Sequence, residues 1–206
     1  RRQAYYYPGE HIDLGDLAIH WPGGHLYLTA LSLTVDRPIV PGILAVAAVA
    51  RAGGGRTVLD IGQAGPEMLN FEELCQLGDA VDVIIGNAYE FELVLGAPYQ
   101  EARGRFREGF HGDVIVKLGR DGALVDPGLD EDLIPVAGFP VDEINPIGAG
   151  DSFGGGLMVA LGRGSSLQAA CEYANAVGAN SVSTARGPEG VTTARVDEIL
   201  HSRHPH

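Results

Sequence analysis

The sequence predicts one α/β domain with a mostly parallel sheet that is covered by helices. Short apolar runs rich in β-branched residues alternate with segments of helical periodicity, and this alternation is typical of parallel sheets. A chain of 206 residues is long enough to bury a sizeable core within one domain. Glycine-rich turns follow predicted strands, at the sheet edge where open α/β sheets bind their ligands.

The predicted elements follow one another along the chain. Strand 26–33 precedes a helix over 41–52, whose Ala, Val, Leu and Ile residues suit packing on a sheet. Residues 81–85 have the β-branched content of a strand buried on both faces. The other predicted strands are 56–61, 114–117 and a strand that returns after the turn at 118–122; the other predicted helices are 71–77, 90–95, 151–161 and 167–184, and 196–200 completes the fold.

The glycine-rich stretch 145–156 carries the strongest functional signal. Gly148 and Gly150 permit backbone conformations in which successive N–H groups converge on an anion, and an apolar helix follows them. The positive end of that helix favours a phosphate, and Asp151 places a carboxylate at the join. A turn that is simply capped by Asp151 is the structural alternative.

Further polar residues follow two other predicted strands. Asn87 and Glu90 come directly after the run 81–86, and the turn 117–122 follows the strand at 114–117. Because parallel strands end at one edge, these segments and the glycine-rich turn are expected to face one site. Asp60 also ends a strand, and two roles remain open for it: contact with a substrate or phosphate, or a structural cap.

These motifs together resemble the ribokinase-like (PfkB) family of carbohydrate and nucleoside kinases. The resemblance extends from about residue 7 to residue 193, with the motifs in the family's order. It implies a three-layer α/β/α fold in which residues 1–206 form the nucleotide-binding and catalytic portion of a kinase domain. The matching elements are the Gly148-Ala149-Gly150-Asp151 turn, the Asn87-x-x-Glu90 pair, the Leu118-Gly119-x-x-Gly122 turn and the helix around Asn175.

The resemblance also implies a role for each matching residue. Asp151 is expected to be the general base that accepts the proton of the acceptor hydroxyl, and the backbone N–H groups of Gly148, Ala149 and Gly150 are expected to form the anion hole. Asn87 and Glu90 are expected to organise Mg²⁺ and its waters. Binding of ATP is assigned to Lys117, Gly119, Gly122 and Asn175.

Two departures from the family pattern stand out. Asn145-Pro146-Ile147 occupies the place of the usual Asp-Thr-Thr, which removes a negative charge, so weak or absent potassium activation is expected. The usual N-terminal portion, with a Gly-Gly sugar motif and a β-sheet lid, is not found. Residues 2–9 resemble the end of that lid. We therefore expect a truncated lid and substrate region, unless that portion is supplied in another way.

Bulk properties limit the partners that we expect. A net charge of −13 argues against nucleic acid, whose backbone requires clustered Lys and Arg. The most apolar helical stretch is too short to cross a bilayer, so no membrane partner is expected. Cys75 and Cys171 are interpreted as reduced core thiols of a cytoplasmic protein, and the acidic segment 126–132 as a solvated turn. Because an exposed strand edge can pair with the edge of a second copy, a homodimer is kept as an alternative.

The expected function is ATP-dependent phosphorylation of a hydroxyl on a sugar or sugar acid, with Mg²⁺. A nucleoside kinase of the adenosine type is the nearest alternative enzyme. A non-catalytic nucleotide-binding fragment is the alternative from another class, because the usual N-terminal portion is missing. A dehydrogenase is disfavoured, since the glycine turn lacks the Gly-x-Gly-x-x-Gly pattern that opens a dinucleotide-binding βαβ unit.

Overall fold

Six strands form one mixed sheet in the computed structural model, which describes residues 24–30, 39–62 and 69–203. The strands lie in chain order across the sheet. The first four are parallel to one another, and the last two are antiparallel to their neighbours. They are β1 (Leu26–Thr29), β2 (Thr57–Asp60), β3 (Val83–Asn87), β4 (Asp113–Lys117), β5 (Gly122–Asp126) and β6 (Ile134–Ala137).

Helices cover both faces of this sheet, so the predicted α/β class with a mostly parallel sheet is confirmed. Short 3₁₀ turns occur at Gly119–Asp121 and Gly187–Gly190. The helices are α1 (Val40–Ala52), α2 (Phe71–Leu77), α3 (Ala88–Leu95), α4 (Tyr99–Arg107), α5 (Ala149–Gly162), α6 (Leu167–Val182) and α7 (Thr193–Arg203).

Alternation along the strands divides the core into two layers. On β3, Ile84 packs in the layer that contains α1 to α4, whereas Val83 and Ile85 pack in the layer that contains α5 and α6. β4 shows the same alternation, because successive side chains of a strand point to opposite faces. The central strands are therefore buried on both sides, as their continuous apolar runs predict. A third cluster joins α6 to α7.

The predicted elements are reproduced with small shifts of their ends, but α4 and β6 were not predicted. In α4, arginines and a glycine separate the buried residues Tyr99, Ala102 and Phe106, which weakens the apolar pattern. β6 carries Pro135 opposite Leu124, and proline is tolerated there because β6 pairs only with β5 in the described sheet. Residues 31–33, within the first predicted strand, and the lid-like residues 2–9 lie outside the described residues.

The interpretation of residues 126–132 as a solvated turn was wrong at its first residue. Asp126 is fully buried at the end of β5. Its carboxylate accepts hydrogen bonds from Arg103 Nε at 2.8 Å, Arg107 Nε at 3.1 Å and the Tyr99 hydroxyl at 2.5 Å. All three donors come from the unpredicted helix α4, so this cluster fixes α4 to the sheet edge opposite the carboxyl ends of β1 to β4.

The two cysteines lie within helices, as the sequence interpretation has them. Cys75 is half-buried, Cys171 is buried, and both are free thiols within helices. Burial raises the pKa of the Cys171 thiol to about 12, which makes it a poor nucleophile. Of the helices in the described part of the chain, none has the length and hydropathy that a bilayer-spanning segment needs.

The Asp126 cluster predicts a measurable acid sensitivity. Burial alone would raise the pKa of Asp126, but the hydrogen bonds from Arg103, Tyr99 and Arg107 outweigh it and lower the pKa to about 2. Because the folded pKa is below the ordinary value, the stabilisation is complete above about pH 4 and is lost as the pH falls towards 2. Asp126→Asn should destabilise the protein by about 3 kcal/mol near neutral pH, since it leaves the buried Arg107 and the partly buried Arg103 without their carboxylate.

Urea unfolding of the wild type and Asp126→Asn between pH 2 and pH 7 checks this expectation. The difference in unfolding free energy should shrink towards pH 2. Asp130→Asn changes an exposed carboxylate of the same segment and should stay within about 0.5 kcal/mol of the wild type. An Asp126→Asn protein as stable as the wild type, or a difference independent of pH, would contradict the assignment.

Candidate active site

One cleft opens at the carboxyl ends of the parallel strands. It has a volume of about 770 Å³ and lies between the sheet edge, the start of α5 and the side of α6. All ten residues predicted for the site lie around it: Asn87, Glu90, Lys117, Gly119, Gly122, Gly148, Ala149, Gly150, Asp151 and Asn175. The strand ends and the glycine-rich turn therefore face one cleft, as the sequence predicts.

Parallel pairing places the strand-end residues of the cleft side by side. Thr29 is opposite Asp60 across β1 and β2, and Asn87 is opposite Lys117 across β3 and β4. All four residues line the cleft. The side chains that end these strands can therefore act on one ligand, although they lie up to 88 positions apart in the sequence.

Asn87 and Glu90 form a capping box at the start of α3. The Asn87 side chain accepts a hydrogen bond from the Glu90 backbone N–H at 2.8 Å, and Glu90 Oε2 accepts one from the Asn87 backbone N–H at 2.7 Å. Burial raises the pKa of Glu90, while the Asn87 N–H and the charge of Lys117 act in the opposite direction. A cation in the cleft would favour the ionised carboxylate.

The donor set fits a magnesium ion that keeps most of its waters. Both side chains of the capping box already bind backbone N–H groups, so they suit indirect contact better than a closed ligand shell. Within residues 24–30, 39–62 and 69–203, no group of three or more His, Cys, Asp or Glu side chains could hold a metal ion. Mg²⁺ held by this pair would keep several waters, as it usually does in proteins.

The glycine-rich turn forms the opposite wall of the cleft and begins α5. Gly148 is the N-cap, with a φ of 78° that favours glycine. No side chain caps this helix, and Asp151 lies within its first turn rather than at the N-cap. The simple reading of Asp151 as the N-cap is therefore wrong. The first-turn N–H groups point toward the helix start, where the helix dipole favours an anion, and the Asp151 carboxylate is exposed beside them.

Asp60 joins Lys117 and Tyr27 in a hydrogen-bonded network at the floor of the cleft. Lys117 Nζ donates to Asp60 Oδ2 at 2.8 Å, and the Tyr27 hydroxyl donates to the same oxygen at 2.9 Å. Asp60 Oδ1 accepts from the Gly62 backbone N–H at 3.1 Å. Asp60 thus lines the cleft and also organises the chain around it, so neither of its two predicted roles is excluded.

Tyr27 supports the site through Asp60 without being one of the residues that line the cleft, and sequence reasoning missed it. Its hydroxyl packs directly against Gly154 in α5, where a Cβ atom would overlap it. Burial, followed by the nearby Asp60 carboxylate, raises the pKa of Tyr27 well above its usual range, so the hydroxyl stays protonated. No local sequence pattern reveals this role, because the contact depends on the absent side chain of Gly154 in a distant helix.

Asn175 and the glycines of the β4–β5 turn lie at another side of the cleft. Gly122 has a φ of 98°, and a Cβ atom there would overlap the Val136 carbonyl. Asn175 Nδ2 donates to the carbonyls of Val136 at 3.1 Å and Ala137 at 3.2 Å. The Asn175 amide therefore helps to hold β6 against α6. The adjoining wall is mainly apolar and contains Phe139, Pro140, Val141, Ala179 and Val182.

Asn145 lies in the loop before α5 and makes hydrogen bonds within that region. Its Oδ1 accepts from the Ile147 N–H at 3.1 Å, and its Nδ2 donates to the Ala185 carbonyl at 3.3 Å. The neutral amide thus ties the loop to the segment after α6. Weak potassium activation stays a prediction.

Comparison with known proteins identifies a family. Residues 25–193 match the model of the pfkB family of carbohydrate kinases. The chain is 32% identical over 171 residues to the aminoimidazole riboside kinase of Salmonella typhimurium, which covers 78% of this chain and 52% of that protein. It is 27% identical over 180 residues to the ribokinase of Haemophilus influenzae, which covers 84% of this chain and 56% of that protein. The chain spans about half the length of these two relatives.

Solved structures show the same similarity. The aminoimidazole riboside kinase of Salmonella enterica, complexed with aminoimidazole riboside and an ATP analogue, superposes with a TM-score of 0.73 and 27% identity, over 87% of this chain and 64% of that chain. An Escherichia coli protein described as a ribokinase II, in complex with ATP and Mg²⁺, gives a TM-score of 0.68 and 26% identity, over 87% of this chain and 59% of that chain.

Two neighbouring glycines of α5 give a matched test of the site's packing. A Cβ atom on Gly154 would overlap the Tyr27 hydroxyl, whereas a Cβ atom on Gly155 would meet nothing within 4 Å. Gly154→Ala should therefore destabilise the protein by about 1–3 kcal/mol through overpacking. Gly155→Ala should stabilise it by about 0.5–1 kcal/mol, because alanine is the better helix former.

Thermal and urea unfolding of both variants measure these changes. Repeating both substitutions in a Tyr27→Phe background separates the overlap with the hydroxyl, at 2.4 Å from the added Cβ, from the overlap with the ring carbons Cζ and Cε2, at 2.7 and 2.8 Å. Equal effects of the two glycine substitutions would show that Tyr27 does not pack against α5 as described.

Proposed function

The chain belongs to the pfkB family of carbohydrate kinases, and we propose that it transfers the γ-phosphoryl group of ATP to a hydroxyl of a sugar or sugar acid. One observation carries the proposal: the uncapped start of α5, with Asp151 in its first turn, faces the same cleft as the Asn87–Glu90 pair and the β4–β5 turn. The proposed anion site, the Asp151 carboxylate and the proposed cation position would thus surround one space.

The proposed reaction uses Asp151 as the general base. Its carboxylate accepts the proton of the acceptor hydroxyl as the hydroxyl oxygen bonds to the γ-phosphorus. The bond from that phosphorus to the bridging oxygen of ADP breaks, so the products are ADP and the phosphorylated acceptor. Asp151 is exposed to the cleft opening, which leaves an acceptor free to approach it.

Backbone groups would stabilise the charge of the transferring phosphoryl group. The N–H groups of Gly148, Ala149 and Gly150 are the proposed anion hole, and the glycines allow the backbone to approach closely. Such donors are fixed before reaction, so little reorganisation accompanies the transition state. When bound, Mg²⁺ would neutralise phosphate charge, with Asn87 and Glu90 holding its waters.

The nucleotide would extend from this point along the β4–β5 turn. Gly119 leaves open space beside the backbone, whereas Gly122 lets the backbone of β6 approach closely. The apolar wall near Asn175 offers a surface for a base. The Asn175 amide is bound to β6, so its proposed part in nucleotide binding is to shape the wall. Two similar solved structures are complexes with an ATP analogue and with ATP and Mg²⁺, which supports ATP and Mg²⁺ as the ligands of the cleft.

A riboside acceptor is the second candidate. The relative that is 32% identical over 78% of this chain is an aminoimidazole riboside kinase, which favours an acceptor with a ribose ring. Sugars, sugar acids and ribosides share the reacting hydroxyl chemistry, so the same site could serve each of them. A panel of these acceptors, measured by acceptor-dependent ADP formation, distinguishes the classes.

Asp151→Asn tests the proposed base. The substitution keeps the size of the side chain but removes its ability to accept a proton, so kcat should fall by about 10² to 10⁴-fold. ATP affinity, measured by calorimetry, should change little, because the anion hole uses backbone groups. Wild-type turnover that survives Asp151→Asn would overturn the base assignment, and ATP binding without any wild-type turnover would indicate a non-catalytic nucleotide-binding protein.

Two equivalent capping boxes allow an effect on stability to be distinguished from an effect on metal binding. Asn70 and Glu73 cap α2 outside the cleft with the same pair of bonds that Asn87 and Glu90 make at α3. Asn70→Ala and Asn87→Ala should each cost about 1 kcal/mol of stability. Asn87→Ala alone should raise the Mg²⁺ concentration needed for half-maximal turnover, by about tenfold. The same Mg²⁺ dependence in both variants would argue against a metal role for Asn87.

A further inference from the structure

We propose that Lys117 contacts the phosphoryl group that is transferred, and that Asp60 and Tyr27 are positioning residues that hold its ammonium group for this contact. The inference rests on the proposed kinase function and deepens it. Lys117 would then act where the phosphoryl group is transferred, and not only at the wall that binds the nucleotide. Lys117 is the only lysine in the sequence, beside 13 arginines, so its side chain can be observed without signals from other lysines.

The location of Lys117 is the first observation. It is the last residue of β4, and its side chain extends across the cleft floor to Asp60 at the end of β2. A Cβ atom built on Gly150 would lie 3.6 Å from Lys117 Nζ. The ammonium group therefore lies beside the first turn of α5, where the anion hole is proposed.

The neighbouring charges place Lys117 between the two halves of the proposed site. Burial raises the pKa of Glu90 and the charge of Lys117 opposes that rise, so the ammonium group acts on the proposed metal pair as well as lying near Gly150. An ammonium group has three N–H donors, and Asp60 takes one of them at 2.8 Å. The remaining donors can reach phosphate oxygens in the space between Glu90 and Gly150.

The surroundings of Asp60 restrict the movement of its carboxylate, and therefore of the Lys117 ammonium group that it binds. Its side chain is largely buried, and its two oxygens accept from Lys117, the Tyr27 hydroxyl and the Gly62 N–H. A lysine stem is flexible and loses considerable rotamer entropy when it is fixed. An anchored lysine has already lost that freedom before the nucleotide binds, so more of its attraction to phosphate can appear in the transition state.

Tyr27 links this network to α5. Its hydroxyl donates to Asp60, and the same hydroxyl occupies the space left by the missing side chain of Gly154. Gly154 lies one turn after Gly150 in α5. The contact therefore sets the distance between the lysine anchor and the helix start that would bind the phosphoryl group.

The first experiment observes Lys117 directly in the wild-type protein. In NMR spectra of protein in which only lysine is labelled with ¹³C and ¹⁵N, each lysine side-chain atom gives one signal, because the chain has one lysine. A non-hydrolysable ATP analogue with Mg²⁺ should shift the Cε and Nζ signals, whereas ADP and AMP should produce less than about a third of that shift. Equal shifts with all three nucleotides, or no shift with a bound ATP analogue, would overturn the proposal.

The same titration separates this inference from the proposed function. Failure of the wild type to bind any nucleotide would refute the kinase assignment and the lysine contact together. Nucleotide binding and acceptor-dependent turnover, without an ATP-specific change at Lys117, would leave the kinase function intact and refute only the lysine contact.

Substitutions then test the anchor. Lys117→Gln should lower kcat by about 10²-fold, the effect of losing one donor to a developing charge, with ADP affinity within about threefold of wild type. Asp60→Asn should lower kcat by about tenfold, and Tyr27→Phe by less. The Asp60→Asn/Lys117→Gln double variant should be no slower than Lys117→Gln alone, because Asp60 acts through the lysine.

A purely structural ion pair gives a different pattern. Unfolding free energy would fall in each variant, while kcat of the folded protein, and the preference for ATP over ADP, would stay unchanged. Additive losses of kcat in the double variant would also refute the positioning role. Arg51→Gln, which removes an exposed ion pair with Asp82 outside the cleft, is the control and should keep kcat within about twofold of wild type.

Discussion

Parallel pairing of β1 to β4 is the constraint on which the rest of the site depends. It brings Asp60, Asn87 and Lys117 to one edge of the sheet, although long crossovers separate them in sequence. Burial on both faces fixes this register, because a slip of one residue would exchange the side chains of the two core layers. The packing of the core therefore sets the geometry of the cleft, even though few core side chains face it.

The sheet carries two buried carboxylates at opposite edges, and their partners differ in a way that fits their positions. Asp126 binds Arg103 and Arg107 with tyrosine and backbone partners, so its charge is surrounded by fixed donors. Asp60 instead binds a lysine beside the cleft. A planar guanidinium suits a closed structural cluster, whereas a compact ammonium group keeps donors available for a second anion. Asp126 thus fixes α4 to one edge of the sheet, whereas Asp60 holds a lysine whose remaining donors can bind an anion at the other edge.

The sequence alone predicts the central fold and the polar residues of the cleft because both depend on local patterns. Apolar runs predict β2 to β4, and glycine turns and strand ends predict where Asn87, Lys117 and Asp151 meet. Contacts between distant side chains leave no such pattern. The burial of Asp126 depends on α4, whose own apolar stripe is broken by arginines, and the role of Tyr27 depends on an absent side chain at Gly154. Both features become visible only when elements from different parts of the chain are packed together.

Local and overall charge also have different consequences here. A net charge of −13 would repel a nucleotide at long range, but salt screens exposed charges beyond about 10 Å. Inside the cleft, attraction depends instead on the groups that line it, the exposed Arg120 among them. The start of α5 and the Lys117 ammonium group beside Gly150 are two that are partly buried. Partial burial strengthens both, because fewer water molecules compete for the anion. The acidic surface therefore does not oppose the proposed function, provided that the cleft keeps its single lysine in place, and the buried carboxylate of Asp60 is the group that does so.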